Sequence, residues 1–285
     1  MDLDTIREVL VARERADLRM LGGSCAVLAG GTFLFAEPQD QLDRLVDITA
    51  LGWPAFTVVP EGLEIAATCT LAEFAGSVPG RELGAPVLRA EWPGTRLFAQ
   101  ACRALLASHK IWRTATVGGN VCLSLPAGAV LGALIALDGA ALVWGSDGVD
   151  RRIPLREFVL GPGRNVLLPG EVVRSITVPT SSLLAHTSFR KAALAPLGRS
   201  GSVVMGRRDP DGRCAVTITA ATGSPVVVDF AAAPDDSEID MMVAGINPML
   251  WFDDPHGAPD WRRHVTGLLA REVAAELRAA DREQP

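Results

Sequence analysis

Leu28-Ala29-Gly30-Gly31-Thr32 and, further along the chain, Thr116-Val117-Gly118-Gly119-Asn120 decide how this sequence reads. The first follows a short apolar run from Cys25 to Ala29, which reads as a strand broken by the glycines; Thr32 is placed to cap a helical turn. Glycine, lacking a Cβ, allows positive φ and close backbone approach. Consecutive N–H groups freed in this way make a concave nest for an anion. A threonine hydroxyl and an asparagine amide beside the nests add donors. Singly, each Gly-Gly is also what an ordinary turn shows. As an ordered pair they read as two nests that clamp a pyrophosphate from both sides without lysine. That suits a chain whose only lysines are Lys110 and Lys191.

Outward from these segments, residues 5–20 have the spacing of an amphipathic helix, with Ile6, Val9 and Leu10 on one face. Leu45 to Ile48 reads as a strand, and Phe56–Val59 with Leu63–Ala67 as a hairpin around Pro60-Glu61-Gly62. Thr70 caps a short helix over Leu71–Phe74, and Gly94–Ser108 has helical spacing. A loop then carries Thr114–Asn120. An apolar helix over Ala127–Leu137 follows, with strands over Ala140–Trp144 and Val172–Val178. The composition changes at Pro179-Thr180-Ser181-Ser182, which marks a domain boundary. Beyond it, Thr187–Leu194, Gly201–Met205 and Cys214–Ala220 read as antiparallel strands. The turn Asp209-Pro210-Asp211-Gly212 joins the last two. Helices over about 236–244 and 259–279 close the chain.

The chain has 285 residues with 48% hydrophobic content, enough for one large or two modest domains. A net charge of −6 argues against nucleic acid, which needs a cationic footprint. The five cysteines, Cys25, Cys69, Cys102, Cys122 and Cys214, form no C-x-x-C pair and no ferredoxin spacing. They read as reduced, mostly buried thiols of a cytoplasmic protein, with no iron–sulfur cluster on this chain. The four histidines make no metal-ligand pattern. The charged N-terminus has no apolar signal-peptide core, and the apolar run Ala127–Leu137 is about half of a membrane span.

The two glycine segments resemble those of the FAD-binding medium subunit of molybdenum hydroxylases, as in bacterial carbon monoxide dehydrogenase and the flavin domain of xanthine dehydrogenase. Those proteins carry A-G-G-[TQH] followed by T-[IVL]-G-G-N. The likeness extends through LVDIT (Leu45–Thr49), PAGAVLGALIALDGA (Pro126–Ala140), LPGEVVRSITVP (Leu168–Pro179), SFRKAAL (Ser188–Leu194) and WRRHVTGLLAREV (Trp261–Val273). It covers nearly the whole chain. It implies an α+β protein with a two-subdomain FAD-binding fold of the vanillyl-alcohol oxidase type over 1–179 (subdomains about 1–54 and 55–179). A C-terminal α+β domain over 180–285 follows, an antiparallel sheet with helices. No G-x-G-x-x-G of the Rossmann type is present.

By that resemblance Ala29, Gly30, Gly31, Thr32 and Phe33 fall on the first pyrophosphate loop, and Thr116, Val117, Gly118, Gly119 and Asn120 on the second. Leu106 and Val173 fall on apolar cofactor contacts, and Lys191, or its neighbour Arg190, near the family's basic or aromatic residue close to the flavin. Ala129 stands where the family has an aspartate, and no tyrosine exists to cover the flavin. The implied function is an electron relay, with FAD taking electrons from [2Fe–2S] clusters on a small partner subunit. The molybdenum cofactor, a molybdopterin, sits on a large one, in a dimer of heterotrimers; no catalytic dyad is needed. A free-standing FAD oxidoreductase and a structural subunit that has lost FAD are the rivals. Of the remaining residues, Trp112 is placed to lie near a cofactor or partner or to fill core volume. His109 reads as a helix-end residue or proton donor, Cys122 as packing, Asp235–Glu238 as a helix cap, and Arg207-Arg208 as solvated surface.

Overall fold

In a computed structural model that describes residues 3–76 and 91–282, the N-terminal part forms three parallel strands. These are β1 (Glu8–Val11), β2 (Cys25–Leu28) and β3 (Arg44–Asp47), in the order β1-β3-β2. The helix expected over residues 5–20 is therefore not formed. β1 occupies its first half and a 3-10 turn, Arg15–Met20, its second. The apolar spacing is compatible with either period, and pairing with β3, distant in sequence, decides it. Ala12, Leu18, Cys25, Val46 and Ile48 make a small core that reaches across to Val172.

The hairpin β4 (Phe56–Val59) and β5 (Gly62–Ala66) forms where expected. The Thr70–Glu73 capping box starts α1 (Leu71–Phe74). Then come α2 (Arg96–Ala104), α3 (His109–Trp112), α4 (Val117–Leu123) and α5 (Ala129–Ala136). α2 buries Leu97, Phe98, Ala101 and Cys102 and stops short of Ser108. The second glycine segment opens a helix, α4, instead of lying in a loop. The chain returns through β6 (Ala140–Trp144), β7 (Arg151–Pro154), α6 (Leu155–Phe158), β8 (Val159–Gly161), β9 (Arg164–Asn165) and β10 (Val172–Pro179). β4-β5-β10-β6-β7 is one five-stranded antiparallel sheet.

After α7 (Thr180–Leu183), β11 (His186–Ala192), β12 (Ser202–Arg208), β13 (Cys214–Thr219) and β14 (Val226–Phe230) form an antiparallel meander. β14 is a fourth strand beyond the three expected. α8 (Asp236–Gly245) and α9 (Pro259–Arg282) follow. Their apolar side chains, with Val204, Val216 and Ile218, make a separate core. α5 is apolar on every side and packs on α2, β12 and β13. The main core therefore runs from Leu63 through α5 to Val203, Met205 and Ala220. Arg207 and Arg208 are buried, 5% and 8% exposed, instead of solvated. Arg207 donates to the Ala136 carbonyl at 2.9 Å and pairs with Asp138 at 2.5 Å and Asp209 at 3.0 Å, so it closes the end of α5 from the facing sheet. Among the described residues no helix is long and apolar enough to cross a membrane.

Candidate functional site

A cleft of about 840 Å³ is lined by the turn after β2, the segments flanking α3, the start of α4, the Leu125–Gly128 connection, the β10 entry and the β11–β12 loop. That volume is within the range of about 300–1,000 Å³ usual for small-molecule sites. Most of its lining is apolar, with Leu105, Leu106, Leu125, Leu167 and Val173 among it.

The two glycine segments meet here. A Cβ on Gly30 would overlap the Thr114 carbonyl oxygen, so glycine lets the β2 turn lie directly on Thr114–Ala115. Gly31 has φ +67°, the left-handed region. The N–H groups of Gly30, Gly31 and Thr32 have no hydrogen-bond partner among the described residues. A run of free N–H groups at the carboxyl end of a parallel strand is an anion nest.

The second segment is built differently. Val117 N–H donates to the Cys69 carbonyl (2.8 Å), Gly118 N–H to the Ala67 carbonyl (2.9 Å) and Asn120 N–H to the Thr116 carbonyl (3.0 Å). Gly119 N–H donates to Thr116 Oγ1 at 3.1 Å. These N–H groups are engaged within the protein, so the expected second nest of free amides is absent. Thr116 caps α4, and Asn120 Oδ1 accepts from Leu131 N–H at 3.0 Å, capping α5. Polar atoms of this wall for a ligand are side-chain ones, the Thr116 hydroxyl proton and the Asn120 amide NH₂. Gly118 serves packing, since a Cβ there would lie 2.6 Å from Ala67 Cβ.

Of the residues anticipated from sequence, Ala29, Gly30, Gly31, Thr32, Phe33, Leu106, Thr116, Gly118, Gly119, Asn120 and Val173 line the cleft. Val117 does not; it is fully buried in the main core. Lys191 does not; its Nζ approaches the Ala104 carbonyl at 3.5 Å beside the cleft. Ala129 is 1% exposed and faces the core, and its neighbour Gly128 is the one at the cleft. Trp112 packs against the main core and His109 is exposed at the start of α3. Cys122 lines the cleft, and burial pushes its thiol up to about 12, so it is a neutral packing group.

Glu171, Arg199 and Ser200 also line the cleft and were not singled out from sequence. Glu171 is engaged by Arg151 at 2.6 and 2.9 Å and by Leu168 N–H at 2.7 Å. Arg199 and Ser200 lie in the β11–β12 connection, which carries no periodic pattern or glycine pair to mark it. Among the described residues no cluster of His, Cys, Asp and Glu has metal-ligand geometry.

A parallel-stranded lobe and an antiparallel-sheet lobe enclosing a nest-bearing cleft, followed by an α+β meander, define the class: a two-lobed FAD-binding fold. The chain belongs to the family of FAD binding domains in molybdopterin dehydrogenases, whose model matches residues 4–181. These are domains of oxidoreductases, and FAD is the cofactor that defines them. A 153-residue stretch, 53% of the chain, is 31% identical to aldehyde oxidase 2 of Cavia porcellus. The chain spans 11% of that protein's length. The fold superposes on the reconstituted CO dehydrogenase from Oligotropha carboxidovorans with a TM-score of 0.82 at 20% identity, covering 98% of this chain and 99% of that one. Quinoline 2-oxidoreductase from Pseudomonas putida 86 superposes with a TM-score of 0.74 at 14% identity, covering 97% and 98%. The residues present fit FAD. Free N–H groups at Gly30–Thr32 and two side-chain donors suit a diphosphate, and the apolar lining suits flat ring systems.

Proposed function

We propose that this chain is the FAD-binding electron-transfer subunit of a molybdenum hydroxylase. It relays electrons from [2Fe–2S] clusters of a small partner subunit to an external acceptor. A large partner holds the molybdenum cofactor, in a cytoplasmic dimer of heterotrimers. Residues 1–179 form the FAD-binding unit in this reading and 180–285 the C-terminal one. The observation that carries it is the cleft where the Gly30–Thr32 nest meets Thr116 and Asn120, in a chain of this family. Bound FAD supplies the chemistry, because its ring takes up and releases electrons singly or in pairs. The chain's residues bind, orient and shield. Gly30, Gly31 and Thr32 donate N–H groups to the diphosphate, and Thr116 and Asn120 add side-chain donors. Leu106 and Val173 give apolar contacts that exclude water from the cleft.

Two measurements test this. The purified chain should show the visible absorption bands of flavin, and a pull-down from its native host should retrieve an iron–sulfur subunit and a molybdenum subunit. A folded chain that stays colourless after incubation with FAD would favour the purely structural subunit. Turnover of a substrate by the isolated chain would favour the free-standing oxidoreductase.

A further inference from the structure

Arg262, near the start of α9, is buried, at 1% exposure. Its Nη1 donates to the carbonyls of Gly201 and Ala220, each at 2.6 Å. Nε donates to the Gly257 carbonyl at 2.8 Å, and Nη2 pairs with Asp254. One guanidinium thus joins three segments: the end of the β11–β12 loop, the residue after β13, and the turn before α9. Packing supports the same joint. A Cβ on Gly201 would lie 2.5 Å from the Trp261 ring, so glycine lets α9 rest on the loop's backbone. A buried arginine is a costly way to hold a fold, since apolar replacements of buried ion pairs are often no less stable. What such a group supplies best is registry, because its planar fork fixes several acceptors at once.

Two of those acceptors lead to the cleft. Gly201 follows Arg199 and Ser200, which line it, and Ser200 Oγ donates to the carbonyl of Ala104, another lining residue, at 3.2 Å. Ala220 leads to a different wall. Its N–H donates to the Pro126 carbonyl at 2.7 Å, and Leu125, Ala127 and Gly128 line the cleft. Ala220 holds φ +65°, a left-handed conformation that alanine adopts only where its surroundings impose it. Here the Pro126 carbonyl fixes its N–H and Arg262 fixes its carbonyl. Among the described residues none of α9 lines the cleft. We propose that Arg262 is a positioning residue for FAD: without touching the cofactor, it sets the spacing between the 199–201 and 125–128 walls. The inference rests on the proposed FAD-binding function. Without the guanidinium, the Gly201 and Ala220 carbonyls are left unpaired in the interior. Ala220 is then free to leave the left-handed region, and both walls lose their common anchor.

The test compares full-length wild type, Arg262→Met, Arg262→Lys and Arg207→Leu. Arg207 is another buried arginine of the C-terminal meander, but it holds the far end of α5 and is not a lining residue. FAD titration and visible circular dichroism of the bound flavin are read where far-UV circular dichroism shows each chain folded. Arg262→Met should bind FAD about tenfold more weakly, the scale of one lost hydrogen bond, and its flavin dichroism should change. Arg262→Lys keeps the charge but not the fork, and should fall between. Arg207→Leu should melt earlier as well, yet keep the wild-type affinity and dichroism. If Arg262→Met does not fold, Arg262→Lys is read in its place. Wild-type affinity and dichroism in the folded Arg262 variant overturn the inference. So does equal weakening by Arg207→Leu, which would make the loss a general result of a loosened meander. Failure of both Arg262 variants to fold overturns it too, because Arg262 would then belong to the fold as a whole. Wild type that binds no FAD overturns the proposed function and the inference with it. Wild type that binds FAD while the Arg262 variants bind it equally well overturns the inference alone.

Discussion

At Gly118 and Gly119 an added side chain separates packing from binding. A Cβ on Gly118 would lie 2.6 Å from Ala67 Cβ and 2.8 Å from its carbonyl oxygen, in the turn that follows β5. Gly118→Ala should therefore destabilise the fold by about 1–3 kcal/mol in chemical denaturation. Gly119 differs, since its Cβ would meet only Thr116 Oγ1, at 3.1 Å. Gly119→Val should leave a folded chain whose methyls stand in the cleft and whose FAD stoichiometry falls towards zero. Full FAD content in that variant would remove Gly119 from the cofactor wall. The thiols give a pH dependence. Burial pushes Cys102 and Cys122 up to about 12, whereas an unfolded thiol ionises near about 8.5. Between these values the unfolded chain has released protons that the folded chain still holds, so stability falls as pH rises. Below the lower value both states are protonated and the effect vanishes. Each such thiol contributes a slope of about 1.4 kcal/mol per pH unit in that window. Urea midpoints at about pH 8 and about pH 10 should differ in this direction, and Cys122→Ser should reduce the difference.

The caps of α4 and α5 join fold to site at the element scale. Asn120 lines the cleft while its Oδ1 accepts from Leu131 N–H, so the amide orientation is fixed by the need for an acceptor. Asn120→Asp keeps that acceptor and should keep stability, yet it sets a carboxylate beside the anion site and should weaken FAD in titration. Asn120→Leu removes the acceptor, leaves the Leu131 N–H unpaired, and should cost about 1–3 kcal/mol. Thr116→Ala should cost about 1 kcal/mol through the lost cap on Gly119. Similar FAD affinity in Asn120→Asp and wild type would count against a diphosphate at this wall. Much of this was legible in the sequence. The Thr70–Glu73 box, the β4–β5 hairpin, the apolar α5 and the Asp209–Gly212 turn each carry a local signature, and each is formed. What depends on distant partners was not legible. β1 exists because β3 pairs with it, and the buried state of Arg207 depends on Ala136 and Asp138 across the molecule. The second glycine segment has the residue pattern of a nest, but Ala67 and Cys69 accept the N–H groups that the pattern leaves free. Arg199 was invisible for the same reason, because only the folded loop brings it to the cleft.

For the whole molecule, the question is whether the FAD-binding part stands without the C-terminal meander. α5 reads Ala-Val-Leu-Gly-Ala-Leu-Ile-Ala, with every residue buried. A helix apolar all round has to be covered all round, and β12 and β13 supply part of that cover. Gly132 lies so close to the meander that a Cβ would sit 2.7 Å from Thr219 Cγ2. The Pro126 carbonyl accepts from both Thr219 Oγ1 (2.9 Å) and Ala220 N–H (2.7 Å). Arg207 extends the seam at Ala136, and Ser200 at Ala104. Removing residues 180–285 would uncover α5 along this seam and leave an exposed apolar patch of the kind that drives aggregation. A chain ending at Pro179 should therefore be insoluble, or soluble only as a species that binds ANS strongly and holds no FAD. A milder variant reports on the same seam. Arg207→Leu keeps the bulk but removes the cation that pairs with the nearly buried Asp209, leaves Asp138 to Arg156 alone, and should cost about 3–5 kcal/mol. The full chain should still unfold in a single transition, followed by flavin release and far-UV circular dichroism together, because one core spans both sides of Pro179. Two separate transitions, with FAD retained through the first, or a monomeric 1–179 fragment that binds FAD, would show that the meander is an independent unit and that α5 finds other cover.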